Sequence, residues 1–124
     1  MIKIKNNFSR LTYFFIVVFS LLLISCSTLN TEKLAKCMTE NEVVMYGAFW
    51  CPHCANQKEL FGDDFQYVTY VECSLPDRSG QTQVCKDAKI NPYPTWEFKD
   101  SSRLTGEQTL EILAKKSGCE LANN

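Results

Sequence analysis

The stretch Phe49-Trp50-Cys51-Pro52-His53-Cys54 decides the fold, because two different structural patterns meet there. The residues before it, 43–49, form a continuous apolar run that is typical of a strand buried on both faces. The residues after it, 51–61, favour a helix that begins at the cysteines and stops at Gly62. A Cys-x-x-Cys pair between a buried strand and a helix start predicts a redox site.

The two cysteines of this stretch have different predicted roles. Cys51 lies over the unpaired backbone N–H groups and the positive dipole end of the helix, an environment that stabilises its thiolate. Pro52 occupies the first turn, where a missing N–H costs nothing. His53 adds a positive charge near the sulfur when it is protonated. Cys54 lies one turn further in, close enough to attack a mixed disulfide formed on Cys51.

Three other interpretations of the motif stay open at the level of sequence. The cysteines can form a purely structural disulfide, although Trp50 beside an accessible helix start is more typical of a reactive site. A zinc or copper site would use Cys51, Cys54 and His53, with Cys73 as an optional further ligand, but the chain has no second Cys-x-x-Cys and one histidine. His53 can also be an ordinary surface residue. We expect no metal, and no cofactor besides the Cys51–Cys54 disulfide.

The rest of the chain supplies the other elements of one α/β domain. Helices are predicted over residues 31–39, 81–88 and 107–117, strands over residues 65–71, 95–99 and 103–105, and turns over residues 75–80 and 100–102. Gly118 follows the last helix as its C′ residue. The order α-βα-βα-ββ-α predicts a parallel βαβ unit followed by an antiparallel hairpin.

The beginning of the chain has the pattern of an export signal. Basic residues precede an apolar run over residues 11–24, which is shorter than the roughly 20 residues of a spanning helix. The run ends Leu23-Ile24-Ser25-Cys26, which resembles the lipobox of bacterial lipoproteins and implies cleavage before Cys26 and lipidation of its sulfur. An uncleaved signal anchor is the alternative. We predict a lipoprotein signal peptide over residues 1–25, a lipidated tether over 26–30 and the folded domain over 31–124.

Composition narrows the classes of function. The formal net charge is -1, so no basic surface argues for nucleic acid. Seven cysteines against one histidine are unusual for a cytosolic protein of this size, and they favour an oxidising compartment or a metal site. With Cys26 set aside, the remaining thiols allow many disulfide pairings, and the sequence alone does not choose among them.

Five stretches of the sequence together resemble one known family. They are residues 44–54, 57–62, 70–73, 93–96 and 106–118, so the resemblance covers nearly all of residues 40–119. They are similar to the thioredoxin-like domain that accompanies bacterial and plant homologues of vitamin K epoxide reductase. The resemblance implies a thioredoxin-like α/β fold, with a four-stranded mixed sheet (βαβ plus ββα) and an extra N-terminal helix. It also implies a protein thiol–disulfide oxidoreductase, here as a stand-alone lipoprotein.

The resemblance assigns further roles around the cysteines. In this superfamily the proline before the third strand is cis and faces the active-site disulfide, and the Tyr93–Pro94 bond matches that place. Pro94 would present substrate by letting the backbone of Tyr93 pair with an extended substrate segment. An ordinary trans proline is the alternative. The residues expected to bind substrate are Trp50, Pro52, Tyr93 and Thr95.

Two features bear on the direction of electron flow. Thioredoxin has a buried acid six positions before its first active cysteine, where this chain has Met45. Without that acid to accept the proton of Cys54, rapid reduction of substrates is less favoured. The Pro-His spacer resembles that of periplasmic disulfide oxidases, whose reduced form is stabilised. Both features favour a disulfide donor, and an envelope reductase or isomerase is the alternative.

The resemblance also bears on the other cysteines. The family pattern has a comparable extra pair, which implies a disulfide between Cys73 and Cys85. Cys37 and Cys119 would then bridge the two ends of the domain. We expect both bridges to be structural, and a second redox pair at Cys73–Cys85 is the alternative.

The expected partners belong to the cell envelope. Substrates would be cysteine-containing exported proteins, and a membrane protein related to vitamin K epoxide reductase, or another quinone-linked protein, would reoxidise the site. The lipid anchor would hold the domain at a membrane, facing the periplasm or the exterior. Alternatives of a different class are a metal-binding lipoprotein and a non-catalytic interaction module.

Overall fold

A computed structural model describes residues 30–121 of the 124-residue chain. The predicted signal peptide and the predicted lipidation site at Cys26 lie outside the described residues. Across residues 30–121, none of the helices combines the length and the apolar character needed to cross a membrane.

The described residues form helices and strands in the alternating order that the sequence predicts. In chain order they are α1 (Thr31–Glu40), β1 (Val44–Gly47), α2 (Pro52–Glu59), a 3-10 helix (Gly62–Tyr67), β2 (Thr69–Glu72), α3 (Gln83–Asp87), β3 (Thr95–Glu97), β4 (Arg103–Thr105) and α4 (Leu110–Ser117). The side chain of Asn30 caps α1 by accepting the N–H of Lys33. Gly118 ends α4 in the left-handed conformation, with a φ of 74°, as the sequence predicts.

The four strands form one mixed sheet in the order β2-β1-β3-β4. β1 runs parallel to β2, with Met45 opposite Tyr70, and antiparallel to β3, with Met45 opposite Trp96. β3 and β4 form the antiparallel hairpin. The α/β class and the four-stranded mixed sheet of a thioredoxin-like fold are therefore confirmed.

β1 is one of the two inner strands, and its successive side chains point to opposite faces of the sheet, each of which is covered by a core. On one face Met45 packs into the larger core with residues of α1, β3 and α4, among them Leu34, Met38, Trp96 and Leu113. On the other face Tyr46 packs with Cys73, Cys85 and Ile90. The redox motif follows soon after this strand, so it starts from a buried part of the sheet.

The second strand begins later than the sequence predicts. The expectation of a strand over residues 65–71 is wrong at its start, because Phe65 and Tyr67 belong to the 3-10 helix and β2 begins at Thr69. Phe65 packs edge-on between the rings of Phe61 and Tyr70, at centroid distances of 6.1 and 5.9 Å. The aromatic residues that suggested a strand thus pack against the core, half-buried, from a helical turn.

Two of the helices are also shorter at their starts than predicted. α4 begins at Leu110, three residues after the predicted start, because Thr109 caps it by accepting the N–H of Ile112 at 3.3 Å. α3 begins at Gln83, because Gln81 forms an isolated antiparallel bridge with Ser74. The residues before α3 and α4 that were predicted to be helical instead contact the redox motif or its neighbours.

Two disulfides join distant parts of this framework. Cys37 of α1 is bonded to Cys119, which follows α4, across 82 residues of sequence. Cys73, which follows β2, is bonded to Cys85 of α3, across 12 residues. The first bond connects the beginning and end of the domain, and the second closes the loop between β2 and α3.

Candidate redox site

The two cysteines of the motif lie at the start of α2 as reduced, buried thiols. Cys51 has an extended backbone and caps the helix, and its Sγ accepts the N–H of Cys54 at 3.3 Å. Pro52 follows in the first turn. Cys51 keeps 6% of its surface exposed and Cys54 keeps 1%, so Cys51 is the sulfur that a partner reaches first.

The turn before β3 faces the outer sulfur. The Tyr93–Pro94 peptide bond is cis. The Cys51 thiol points at the carbonyl oxygen of Tyr93, with 3.8 Å between the sulfur and the oxygen. Pro94 itself is buried beneath this turn. The structure therefore brings Cys51 and the backbone of Tyr93 together.

Two aromatic residues are neighbours of Cys51, Trp50 in the chain and Tyr93 through its carbonyl oxygen. Trp50 and Tyr93 meet edge-on, with ring centroids 6.1 Å apart. The indole N–H of Trp50 donates to Ser74 Oγ at 2.8 Å, and the Tyr93 hydroxyl accepts from Gln81 Nε2 at 2.8 Å. Trp50 remains 45% exposed. We call these two rings the aromatic platform, and it offers an apolar surface beside the reactive sulfur.

The Cys73–Cys85 disulfide supports the aromatic platform. Ser74 and Gln81, which hold the two rings, both lie in the loop that this disulfide closes. Both sulfurs are fully buried. The bond therefore fixes the loop on which Trp50 and Tyr93 rest.

The inner cysteine lies in a less polar environment than the outer one. The pKa of Cys54 is raised from its usual 9.0 to about 12. Burial is the largest cause of this shift, and the hydrogen bond with Cys51 is the second. A Cβ added at Gly47 would lie only 3.0 Å from Cys54 Sγ and 3.0 Å from Tyr70 Cε2. Gly47 thus leaves room for the Cys54 thiol and the Tyr70 ring to share one space.

A polar pair on β2 adjoins Cys54, and sequence reasoning missed it. The Tyr70 hydroxyl donates to Glu72 Oε2 at 2.8 Å. Burial, followed by the hydrogen bond to Glu72, raises the pKa of Tyr70 above its usual value. The available signal was the period of two, which places residues 70 and 72 on the same face of a strand. We call Tyr70 and Glu72 the β2 polar pair.

His53 contacts the segment before α4. Its Nδ1 lies 2.6 Å from Glu107 Oε1, and Asn56 Nδ2 donates to the same oxygen at 3.1 Å. The hydrogen bonds from His53 and Asn56 hold the pKa of Glu107 below its usual range. Sequence reasoning placed His53 beside the Cys51 sulfur and did not find Glu107, because it assigned residue 107 to a helix.

Two predicted residues have other surroundings than expected. Thr95 was expected to bind substrate, but it is 2% exposed and its hydroxyl donates to the Pro92 carbonyl at 2.8 Å. It therefore supports the turn from inside and offers no surface to a partner. Cys73, the optional further ligand of the metal-site alternative, is bonded to Cys85. Within residues 30–121, no three histidine, cysteine or acidic side chains cluster as a metal site would require.

A thioredoxin-like fold with a Cys-x-x-Cys pair at the start of a helix, opposite a cis-proline turn, defines a class of redox domains. No protein-family model matches this chain. The chain is 41% identical, over 101 residues, to the thiol-disulfide oxidoreductase LTO1 of Arabidopsis thaliana. The match covers 78% of this chain and spans 27% of the length of that protein. The predicted class, a protein thiol–disulfide oxidoreductase, agrees with this relative.

Proposed function

We propose that this protein is a thiol–disulfide oxidoreductase of the cell envelope that donates disulfides to exported proteins through Cys51 and Cys54. The observation that carries the proposal is the placement of Cys51. Its sulfur caps α2, accepts a backbone N–H, and faces the Tyr93 carbonyl. This arrangement puts a reactive sulfur beside a backbone that can pair with an extended client segment.

The chemistry follows from the different exposure of the two sulfurs. When the pair is oxidised, a client thiolate attacks Cys51, and Cys54 leaves as a thiolate that takes up a proton. A second client thiolate then attacks the client sulfur of the mixed disulfide, and Cys51 leaves. The client gains one disulfide and Cys51 and Cys54 are reduced. The aromatic platform would hold apolar client residues next to the exchanging sulfur.

Two features support the donor direction. The N–H that Cys54 donates to Cys51 Sγ is a contact of the reduced pair, and a stabilised reduced form makes the disulfide a stronger oxidant. The second feature is Met45, which is fully buried in the larger core at the sequence position where thioredoxin has its acid. No acid at this position is therefore available to accept the proton of Cys54.

The location and the partners are further parts of this proposal. The export signal over residues 1–25 and the lipobox at Cys26 would place the domain on a lipid anchor at the envelope. Clients would be exported proteins with cysteines. A membrane protein related to vitamin K epoxide reductase, or another quinone-linked protein, would reoxidise Cys51 and Cys54.

One observation favours the reverse direction, an envelope reductase or isomerase. The β2 polar pair links a carboxylate, through the Tyr70 hydroxyl, to the space beside Cys54, although not from the strand position that thioredoxin uses. A nearby base helps Cys54 to lose its proton and attack a mixed disulfide, which is the step that a reductase repeats.

The reduction potential separates the two directions. The full chain is equilibrated against glutathione buffers, the thiols are alkylated, and the peptide containing Cys51 and Cys54 is quantified by mass spectrometry. A reduction potential of about -120 mV supports the disulfide-donor function, and one of about -270 mV supports the reductase function. Peptides with the four other described cysteines report whether their disulfides stay intact.

Trapping of clients tests whether the site exchanges disulfides at all. Cys54→Ser leaves Cys51 without a resolving thiol, so mixed disulfides with exported proteins accumulate and disappear on reduction. Cys51→Ser is the matched control and traps few or no clients, because Cys54 is buried. Equal trapping by both variants would contradict the assignment of Cys51 as the attacked sulfur.

A further inference from the structure

We propose that the β2 polar pair is the proton path of Cys54, in which the Tyr70 hydroxyl relays a proton between the Cys54 sulfur and the Glu72 carboxylate. This inference deepens the proposed function and rests on it. Tyr70 borders the reacting sulfur, whereas Glu72 acts through Tyr70 and is a positioning residue.

The geometry at Gly47 carries the first step of the argument. The three heavy atoms nearest to an added Cβ at Gly47 all belong to Cys54 and Tyr70, with the sulfur at 3.0 Å and the Tyr70 hydroxyl oxygen at 3.3 Å. No other side chain comes as close to that point. The sulfur and the phenol oxygen therefore border the same small space, across which one water can carry a proton.

The second step is the fixed position of the carboxylate. Glu72 Oε1 accepts the backbone N–H groups of Ser74 at 2.8 Å and Phe49 at 3.2 Å, while Oε2 accepts the Tyr70 hydroxyl. Phe49 lies two residues before Cys51. One carboxylate oxygen is thus anchored to the backbone beside the motif, and the other is aimed at the phenol.

The charged and titratable groups facing Cys54 come from two elements. From α2 these are Cys51 and Lys58, whose ammonium lies 3.8 Å from the centroid of the Tyr70 ring. From β2 it is Tyr70, whose hydroxyl is in turn bonded to Glu72. The turn before β3 contributes the uncharged Tyr93 carbonyl, which contacts Cys51. Lys58 offsets part of the negative charge that proton transfer would create at Cys54.

The proton path balances in both directions. When Cys54 attacks a mixed disulfide on Cys51, its proton passes to the Tyr70 oxygen as the phenol proton passes to Glu72. The Cys51–Cys54 bond forms, the bond from Cys51 to the client breaks, and the client leaves as a thiolate with the electron pair. When a client thiolate attacks the oxidised pair, Cys54 leaves as a thiolate and recovers its proton by the same path.

The test measures how fast a mixed disulfide on Cys51 is resolved. The full chain, purified in detergent and reduced at the motif, is mixed with glutathione disulfide and quenched with acid at intervals, between about pH 6 and pH 8. We expect Tyr70→Phe and Glu72→Gln to lengthen the lifetime of the Cys51–glutathione mixed disulfide at least about tenfold at neutral pH. The rate of its formation should stay within about twofold of wild type.

The pH profile separates a proton path from a merely structural role. The wild-type rate of resolution should change little across this range, because the base lies inside the protein. In the variants it should rise about tenfold per pH unit, because Cys54, whose pKa is about 12, must then lose its proton to solvent. Tyr67→Phe and Glu59→Gln are matched controls outside the site, and both should behave as wild type.

Each result has a defined consequence. Tyr70→Phe is decisive because it keeps the contacts of Glu72 with Phe49 and Ser74, and resolution within twofold of wild type at every pH would overturn the proton path alone. If circular dichroism shows Tyr70→Phe unfolded, the pH profile of Glu72→Gln decides in its place. A wild-type protein that forms no mixed disulfide at Cys51 would overturn the proposed function, and the proton path with it.

Discussion

Gly47 is the residue at which the redox pair and the β2 polar pair meet. It has no positive φ that would demand a glycine, so its role lies in the space that a side chain would fill. That space is occupied by the Cys54 sulfur and the Tyr70 ring. A methyl group there would push both away from the positions that the site needs.

Gly47→Ala should therefore destabilise the protein. The added Cβ would lie 3.0 Å from both neighbours, and overpacking of this kind costs about 1–3 kcal/mol. Urea unfolding of the oxidised protein measures the loss. Gly80→Ala is the matched control, since its nearest neighbour lies at 3.8 Å, and it should leave the free energy of unfolding unchanged or raise it slightly. Equal losses in the two variants would show that Gly47 is not a close contact.

The raised pKa of Cys54 predicts a loss of stability at alkaline pH. Its folded value, about 12, lies above its usual 9.0, so the folded state binds the proton more tightly than the unfolded state between these values. The contribution is complete below about pH 9 and is lost as the pH rises towards 12. Cys51→Ser, compared with Cys51→Ser/Cys54→Ser by urea unfolding between about pH 8 and pH 11, measures it. A difference in unfolding free energy that does not fall with pH would contradict the prediction.

At the scale of elements, α2 depends on contacts with the segment before α4. Gln57 is fully buried, and its Oε1 accepts the backbone N–H of Gln108 at 2.6 Å and the indole N–H of Trp96 at 3.3 Å. Its Nε2 donates to the Gln108 carbonyl at 3.0 Å. His53 contacts Glu107 in the same segment. The helix that presents the cysteines is thus held at both a buried and an exposed point.

Gln57→Ala should cost about 3 kcal/mol of unfolding free energy. The change leaves the buried indole N–H of Trp96 and the half-buried backbone N–H of Gln108 without partners, at about 1–3 kcal/mol each. Chemical denaturation of the oxidised protein measures the loss. Gln83→Ala, at an exposed position on α3, is the control and should change the free energy by less than about 0.5 kcal/mol. A loss at Gln57 no larger than that of the control would mean that solvent replaces these bonds.

The elements that the sequence predicted well are those with local signals. The apolar run of β1 and the Cys-x-x-Cys start of α2 follow each other directly in the chain, so their positions are readable without tertiary structure. The position of the β2 polar pair cannot be predicted in this way, because its approach to Cys54 depends on the parallel register that sets Met45 opposite Tyr70. The contact of His53 with Glu107 joins residues 54 apart in sequence, and no periodicity encodes it. Phe65 and Tyr67 led to the wrong prediction of a strand start because their aromatic rings pack against the core from a 3-10 helix and not from a strand.

At the scale of the whole molecule, the two disulfides have different tasks. Cys37–Cys119 encloses nearly the whole domain, and Asn41 Nδ2 lies 3.5 Å from the Cys119 sulfur while it donates to the Ser117 carbonyl at 2.9 Å. Cys73–Cys85 closes a short loop that carries the supports of Trp50 and Tyr93. The long bridge acts on the stability of the domain, and the short bridge acts on the surface beside the active sulfur.

Removal of each bridge should separate these tasks. By loop entropy, replacing Cys37 and Cys119 with alanine costs about 4–5 kcal/mol, and replacing Cys73 and Cys85 costs about 3 kcal/mol. Only the second pair of substitutions should slow disulfide exchange with a peptide client, because only it releases the aromatic platform. Denaturation and stopped-flow exchange measure the two effects. Equal exchange rates in the two variants would contradict the supporting role of the short bridge.

The Cys73–Cys85 disulfide lies within the loop that Cys37–Cys119 closes, and this arrangement determines whether a proteolytic cut releases a fragment. Arg78 lies at the exposed tip of the loop between Cys73 and Cys85. A cut after Arg78 would divide the backbone into two pieces, each carrying one half of both disulfides. The nicked protein would therefore stay in one piece, doubly cross-linked, and would come apart only when both bridges were reduced. Release of the fragments would then report on the redox state of the surroundings rather than on proteolysis alone.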